Sequence, residues 1–560
     1  MFIPFKRNKL TAIIAGGVVV GTVALTGCVS DGKDGMDGQN FSDSSLTRLA
    51  TLPLGSEATG LFVSEAGDLF FNTQHPSTSN TAPHDKAAVG VIKGVNINAL
   101  ADNFTAVSVP TLTAEMQTVR TAAGTYQILI QEGTTLASSG DTAGEIRTAN
   151  DSTVIKQSND PDFNAFISTN AENTTGYLFT NWEDRPGGMS RVELSKASDG
   201  SWSVGNGMMI DFASVSGTWV NCFGTLSPWG TPLSSEELYF DNTADWFDST
   251  YTYFSNPQSL ATYLGYPTDG SGSWPNPYRY GYIVELETPT ASPTPVKHFA
   301  MGRFSHENAV VMPDNKTVYL SDDGSDVVFF KYVADAANDM STGTLYAAKF
   351  TQAVGAIEEQ DFKFGIEWIE LAHGNNTTIE SWITSYDSAT MAAPSYITDT
   401  EVAAWAADKL DNGILDTVAD DRVAFLESRK AAKAIGATAE FTKMEGVNIN
   451  YDAVADGSVP YMYMAMADVK GGMSDGVGDI NIPENRCGIV YRMRLDSTYN
   501  VSAMEPVVIG GPYDSTAADN TCPTANIASP DNVVVLKDGR VIIGEDTSKH
   551  QNNMIWVWKE

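Results

Sequence analysis

With 560 residues and a formal net charge of −35, the chain is too acidic to hold nucleic acid or an anionic lipid surface by charge, which argues against both as partners. Its 42% hydrophobic and 10% aromatic content suffices for an extensive core, in two or three small domains or one large repeat architecture. The acidity suits solubility in an extracellular medium, and bound calcium would neutralise part of it.

In chain order, Lys6, Arg7 and Lys9 precede an apolar run from Leu10 to Leu25 that ends Leu25-Thr26-Gly27-Cys28. This resembles the lipobox of bacterial lipoproteins. The expectation is a signal peptide over 1–27, a lipidated Cys28, a flexible tether over 28–44 and a folded body over 45–560. The chain would then sit in the cell envelope and meet the membrane only through its anchor. Three cysteines remain. Cys487 and Cys522 flank one segment and make a plausible disulfide, whereas Cys222 is left over, either buried and inert or bound to a metal.

Six segments then follow one plan: a polar or acidic opening, an apolar strand, a turn, and a second strand that ends near acidic or amide residues. They open at Ser56-Glu57, Asp162, Val220-Asn221-Cys222, Ser305-His306-Glu307, Met444-Glu445 and Ser529-Pro530-Asp531-Asn532. The second strands end at Gln74-His75, Glu183-Asp184, Glu236-Glu237, Asp322-Asp323, Asp468 and Glu545-Asp546. Repeated short meanders of this kind predict an all-β chain, a β-propeller of about six blades whose inner strands start around one channel. Carboxylates gathered there repel one another unless something positive lies between them, so the pattern points to a multi-metal site. The histidines form no ligand set; His75, His306 and His550 beside strand ends suit supporting or structural roles.

Between the fourth and fifth units, about 368–441, the pattern turns helical. Thr398 to Glu401 supply capping residues, Gly413 can stop that helix, and Ala419 to Ile435 read as another with acids first and bases last. The insertion is expected to be a lid or wall over one face, or packing alone.

Four strings now converge: VNCFGTLSPWGTPLSSEE, RFSHENAVV, GATAEFTKMEGVNIN and SPDNVVVLKDGRVIIGED. Together they resemble the PhoX-type alkaline phosphatases, exported bacterial propellers that hold iron and calcium. The resemblance implies a phosphomonoesterase whose ligands include Cys222, Glu307, Glu445 and Asp531, with Glu236, Glu237 and Asp546 as further candidates. Two features depart from the family pattern. Its phosphate-binding Arg is Lys443 here, a point charge in place of a two-pronged fork. Its last ligand block is found at the N-terminus, where Glu57 takes the place of the final glutamate. Lys549 and Arg303 are weaker candidates for the phosphate contact. The substrate class is then a phosphate monoester or other small anion, and a monomer is expected. A calcium-dependent propeller esterase or lactonase, and a non-catalytic metal-binding propeller on the cell surface, stay open as alternatives.

Overall fold

The computed structural model describes residues 45–355, 359–411, 414–415 and 420–560. The expected signal peptide, Cys28, the tether and the helix stop at Gly413 lie outside the described residues.

Apolar strands joined by polar turns pair as antiparallel meanders. Their innermost strands are Glu57–Val63, Pro161–Ser168, Asn221–Leu226, His306–Val311, Met444–Asn448 and Pro530–Val535. Each packs on the next and the last packs on the first, so they close a ring. The closing sheet is built from both ends of the described chain. It runs from Pro530–Val535 through Val541–Glu545 and Met554–Lys559 to Ser45–Thr51, which pairs antiparallel with Met554–Lys559. Such closure buries the faces of the first and last sheets, which a linear stack would leave exposed. The fold is a β-propeller.

Two segments differ from the sequence-based expectation. Helix does not begin near Trp368: Phe364–Asn375 is a long strand paired with Asp339–Gln352. It also bonds to Ala503–Ile509, fusing the fourth and fifth meanders into one nine-stranded sheet. Helices follow at Asn376–Thr384, Asp399–Lys409, Arg422–Leu426 and Ser428–Ala434. Thr398 and Glu401 form the expected capping box. The expected single helix from Ala419 is broken at Glu427, whose buried carboxylate accepts from the Thr243 hydroxyl at 2.6 Å and the Tyr278 hydroxyl at 2.8 Å. Tertiary contact overrides local propensity there.

These helices bury Ile379, Trp405 and Phe425 in one core with Phe299, Leu345 and Leu371. A second insertion, 238–282, divides the third meander, and its Trp246, Tyr263, Trp274 and Tyr280 bury around Trp219.

Candidate metal centre

Five of the six inner strands share one defect. Pro161 faces Trp182, Asn221 faces Glu236, His306 faces Asp322, Met444 faces Met466 and Pro530 faces Glu545, and after each pair the register slips. An extra residue on one strand is a β-bulge, which bends the strand and re-aims its side chains. The first residue of each bulge is Asp162, Cys222, Glu307, Glu445 or Asp531, and all five line one cavity of about 260 Å³.

A second regularity lies two residues upstream. The carbonyls of Asp160, Val220, Ser305, Lys443 and Ser529 accept the backbone N–H of Glu183, Glu237, Asp323, Ala467 and Asp546, at 2.8, 3.1, 2.9, 3.0 and 3.2 Å. This clamp sets the ends of the second strands against the mouth of the channel. Val220, Lys443 and Ser529 adopt φ of 42°, 55° and 42° to make it. That left-handed geometry is sterically costly, above all for β-branched Val220, and such strain gathers where function fixes the backbone.

Amide side chains staple neighbouring inner strands. Asn72 donates to the Asp162 carbonyl and Asn181 to the Cys222 carbonyl, while Asn308 exchanges hydrogen bonds with Val447 at 2.8 and 2.9 Å. At Gly60, with φ of 61°, any Cβ would collide with the Asp162 carbonyl, so glycine permits the close approach of the first two strands.

The Cys222 Sγ lies 3.4 Å from Asp162 Oδ2 and 3.4 Å from Glu307 Oε2. The other oxygens of these acids, Asp162 Oδ1 and Glu307 Oε1, are buried without a hydrogen-bond partner. Three overlapping triads have ligand atoms within 4.8 Å of one another: Asp162, Glu183 and Cys222; Cys222, Glu237 and Glu307; Glu307, Glu445 and Asp531. Burial first, and then the surrounding negative charges, push Asp162, Glu237, Glu307, Glu445 and Asp531 well above the usual carboxylate range. Burial and the same charges push up the Cys222 thiol. An orphaned buried acceptor costs about 1–3 kcal/mol, and these crowded buried acids suit a bound cation.

Asp323 behaves differently. Burial opposes its ionisation, but the Lys443 ammonium at 2.7 Å pulls it below its ordinary value. Tyr239 donates its hydroxyl between Glu237 and Asp323.

Of the sequence-predicted residues, Cys222, Glu237, Glu307, Glu445, Asp531, Glu57, Asp546 and Lys443 line this cavity. Glu57 arrives by another route: it stands in register with Gln74, before the bulge at Thr59, and meets His75 at 2.6 Å. Glu236 is a correction. It points away, 2.8 Å from the Lys297 ammonium, and accepts the backbone N–H of Trp219, Gly281 and Tyr282 at 3.1, 2.9 and 3.1 Å. Successive strand residues face opposite ways, so an acidic doublet offers one side chain to the channel. Arg303 is another correction, since it is buried and donates to the carbonyls of Pro277, Tyr280 and Leu426. Lys549 donates to Ser529 Oγ at 2.7 Å and lies outside the cavity lining. Asp468 is matched by Lys470 and Arg486, and Ala467 holds the clamped position of that meander. His306 meets the Gly302 carbonyl and His550 meets Glu545.

The repeat reading sets Asp162, Glu183 and Asp323 among the carboxylates gathered at the channel without naming them as ligands, and it leaves Asp160 and Tyr239 unmarked. Asp162 opens the second segment as Cys222 opens the third, and aligning the two would have named it. Cys487 and Cys522 form a disulfide with Cα atoms 5.9 Å apart, and Cys222 is a free, buried thiol. No described residue of the insertion 376–434 lines the cavity.

Residues 187–559 match the family model described as alkaline phosphatase PhoX. A comparison with curated proteins gives no match. Among solved structures, PhoX of Pseudomonas fluorescens in complex with vanadate, a transition state analogue, is 18% identical. It aligns with 91% of this chain and 87% of its own at a TM-score of 0.53, a likeness of fold. An oxidoreductase (glucose dehydrogenase) of Thermus thermophilus, 10% identical over 92% of this chain and 99% of its own, reaches only 0.34. A Trypanosoma rangeli sialidase, 7% identical over 92% and 59%, reaches 0.33, and neither carries an argument. Glu57, Asp162 and Glu183 precede the matched segment, yet they line the same cavity as Cys222 and Glu307 within it. With the match running from the second meander to the final strand, the chain belongs to the alkaline phosphatase PhoX family.

Proposed function

We propose that the carboxylate–thiol cavity is the metal centre at which this family member hydrolyses phosphate monoesters. The observation that carries the reading is the linked triads, joined through Cys222 and Glu307 and left with orphaned buried oxygens. The two triads that contain Cys222 suit a transition metal that accepts thiolate and carboxylate together, which favours iron. Glu307, Glu445 and Asp531 offer oxygen alone, which favours calcium. When bound, such cations neutralise the ring and polarise the phosphoryl group as Lewis acids.

The chain's own groups define the rest. Lys443 stands at the cavity mouth with its side chain 39% exposed, 2.7 Å from Asp323 and 3.7 Å from Glu445. It can give one ammonium donor to a phosphoryl oxygen while Asp323 holds its charge in place. Tyr239 fixes Glu237 and Asp323 relative to each other. The calcium lactonase reading is disfavoured by Cys222, because calcium makes no use of a thiolate.

The decisive experiment is metal analysis of purified protein together with turnover of a chromogenic phosphate monoester. The proposal expects iron and calcium to co-purify with activity, and a colourless, metal-free, active protein would end it. The lipobox-like N-terminus and the Cys487–Cys522 disulfide support residence in the cell envelope on a lipid anchor. Labelled fatty acid should enter the wild type and not Cys28→Ser; equal labelling of both would refute the anchor.

A further inference from the structure

Beside the metal cavity lies a second cleft of about 620 Å³ that shares Tyr239 and Lys443 with it. Its size is that of a small-molecule site. Two cations meet at the ring of Tyr239: the Arg185 guanidinium 5.9 Å from its centroid and the Lys443 ammonium 5.8 Å from it. The other charged groups of the cleft are already matched, Lys470 by Asp468 at 2.6 Å and Asp241 by Arg429. Among the described residues Arg185 forms no salt bridge and its side chain makes no hydrogen bond, in a chain with twice as many acids as bases. This half-buried guanidinium lies close enough for its charge to act on Glu183, yet its N–H groups are unpaired among the described residues, a fork open to an incoming anion.

More of the lining comes from the same aromatic insertion in the third meander that carries Tyr239. Tyr251 packs on Phe240 at 5.4 Å, and Tyr253 meets Tyr251 edge-on at 5.7 Å. Tyr253 is 57% exposed, so its ring face is open to a flat partner entering the cleft. The cleft is thus cationic where it joins the metal cavity and aromatic away from it, a polarity that matches an anionic head on an aromatic body.

We propose that this cleft is the leaving-group site: Arg185 joins Lys443 in gripping the phosphoryl group, and the Tyr251–Tyr253 wall receives a flat aromatic alcohol, favouring aryl over alkyl phosphate monoesters. Arg185 thereby supplies the two-pronged contact that Lys443 cannot. The inference rests on the phosphomonoesterase reading and adds its substrate class.

Calorimetric binding of phenylphosphonate and methylphosphonate to the metal-loaded protein tests it without turnover. Phenylphosphonate should bind roughly 3- to 10-fold more tightly. Tyr253→Ala, a change at an exposed position, should erase that preference. Arg185→Ala should weaken both ligands by roughly 10- to 100-fold, with Arg185→Lys recovering only part. Equal affinities for the two phosphonates, or undiminished binding in Arg185→Ala, would overturn the assignment. Kinetics separate the two readings. The predicted binding pattern without turnover of any phosphomonoester would refute the phosphatase reading, and with it the leaving-group role, and leave the cleft as an aryl-anion binding site. Turnover with no aryl preference would refute the cleft alone.

Discussion

The acids at the cavity end of the second strands form two concentric sets, alike in composition and opposite in physics. In the outer set every charge is answered. Glu236 has Lys297 and three backbone N–H groups, Asp322 has Arg429 and the Val328 N–H, and Glu545 has His550, the Trp556 indole and the N–H groups of Ala528 and Met554. In the inner set Glu237, Asp323 and Asp546 face the cavity, where Glu237 and Asp323 share a single Tyr239 hydroxyl and, of the three, Asp323 alone is paired with a cation, Lys443. The outer residue pairs with the residue just before the bulge, and the inner residue sits one step beyond. Register, not residue type, decides which carboxylate braces the blade and which faces the cavity.

That contrast predicts separable losses. Burial works against both charges of the Glu236–Lys297 pair, pushing the acid up and the lysine down. Lys297→Met would strand Glu236 without its cation and should cost about 3–5 kcal/mol in urea denaturation, with metal content per folded chain unchanged. Glu307→Gln removes the charge shared by two triads, so kcat/KM should fall on the order of 10²- to 10³-fold with β-rich circular dichroism preserved. Cys222→Ser keeps the size and loses the soft ligand. Iron and any thiolate-to-iron absorption band should disappear while calcium stays, with activity down by roughly 10- to 100-fold. Glu57→Gln should have the smallest effect, about 10-fold in kcat/KM, because Glu57 precedes its bulge and already has His75 as partner. Full iron in Cys222→Ser, or a drop in Glu57→Gln matching that of Glu307→Gln, would show that the cavity is not graded in this way.

Much of the propeller was legible because each meander repeats the same order of acid, apolar strand, turn and acid. The likeness of the Glu57 segment to a final block placed that segment beside the last blade, where Glu57–Val63 packs on Pro530–Val535; the pairing of Ser45–Thr51 with Met554–Lys559 was not legible. The cavity was only partly legible. An acidic doublet such as Glu236-Glu237 does not reveal which member faces the channel, since a one-residue bulge reverses the answer. Tyr239 and Arg185 stand outside the repeated positions, and their role emerges only when the third-meander insertion folds back beside Lys443. The stretch from Trp368 to Asn375 reads as part of a helical insertion because its acidic and apolar residues mix both periodicities, and pairing of Phe364–Asn375 with Asp339–Gln352 settles it as strand.

The measurement that bears most directly on the two carboxylate sets is metal content, by elemental analysis after dialysis, of Glu236→Gln and Glu237→Gln side by side. The account predicts that Glu237→Gln loses bound metal while folded Glu236→Gln keeps the wild-type content. Equal retention in both, or loss in Glu236→Gln alone, would contradict it.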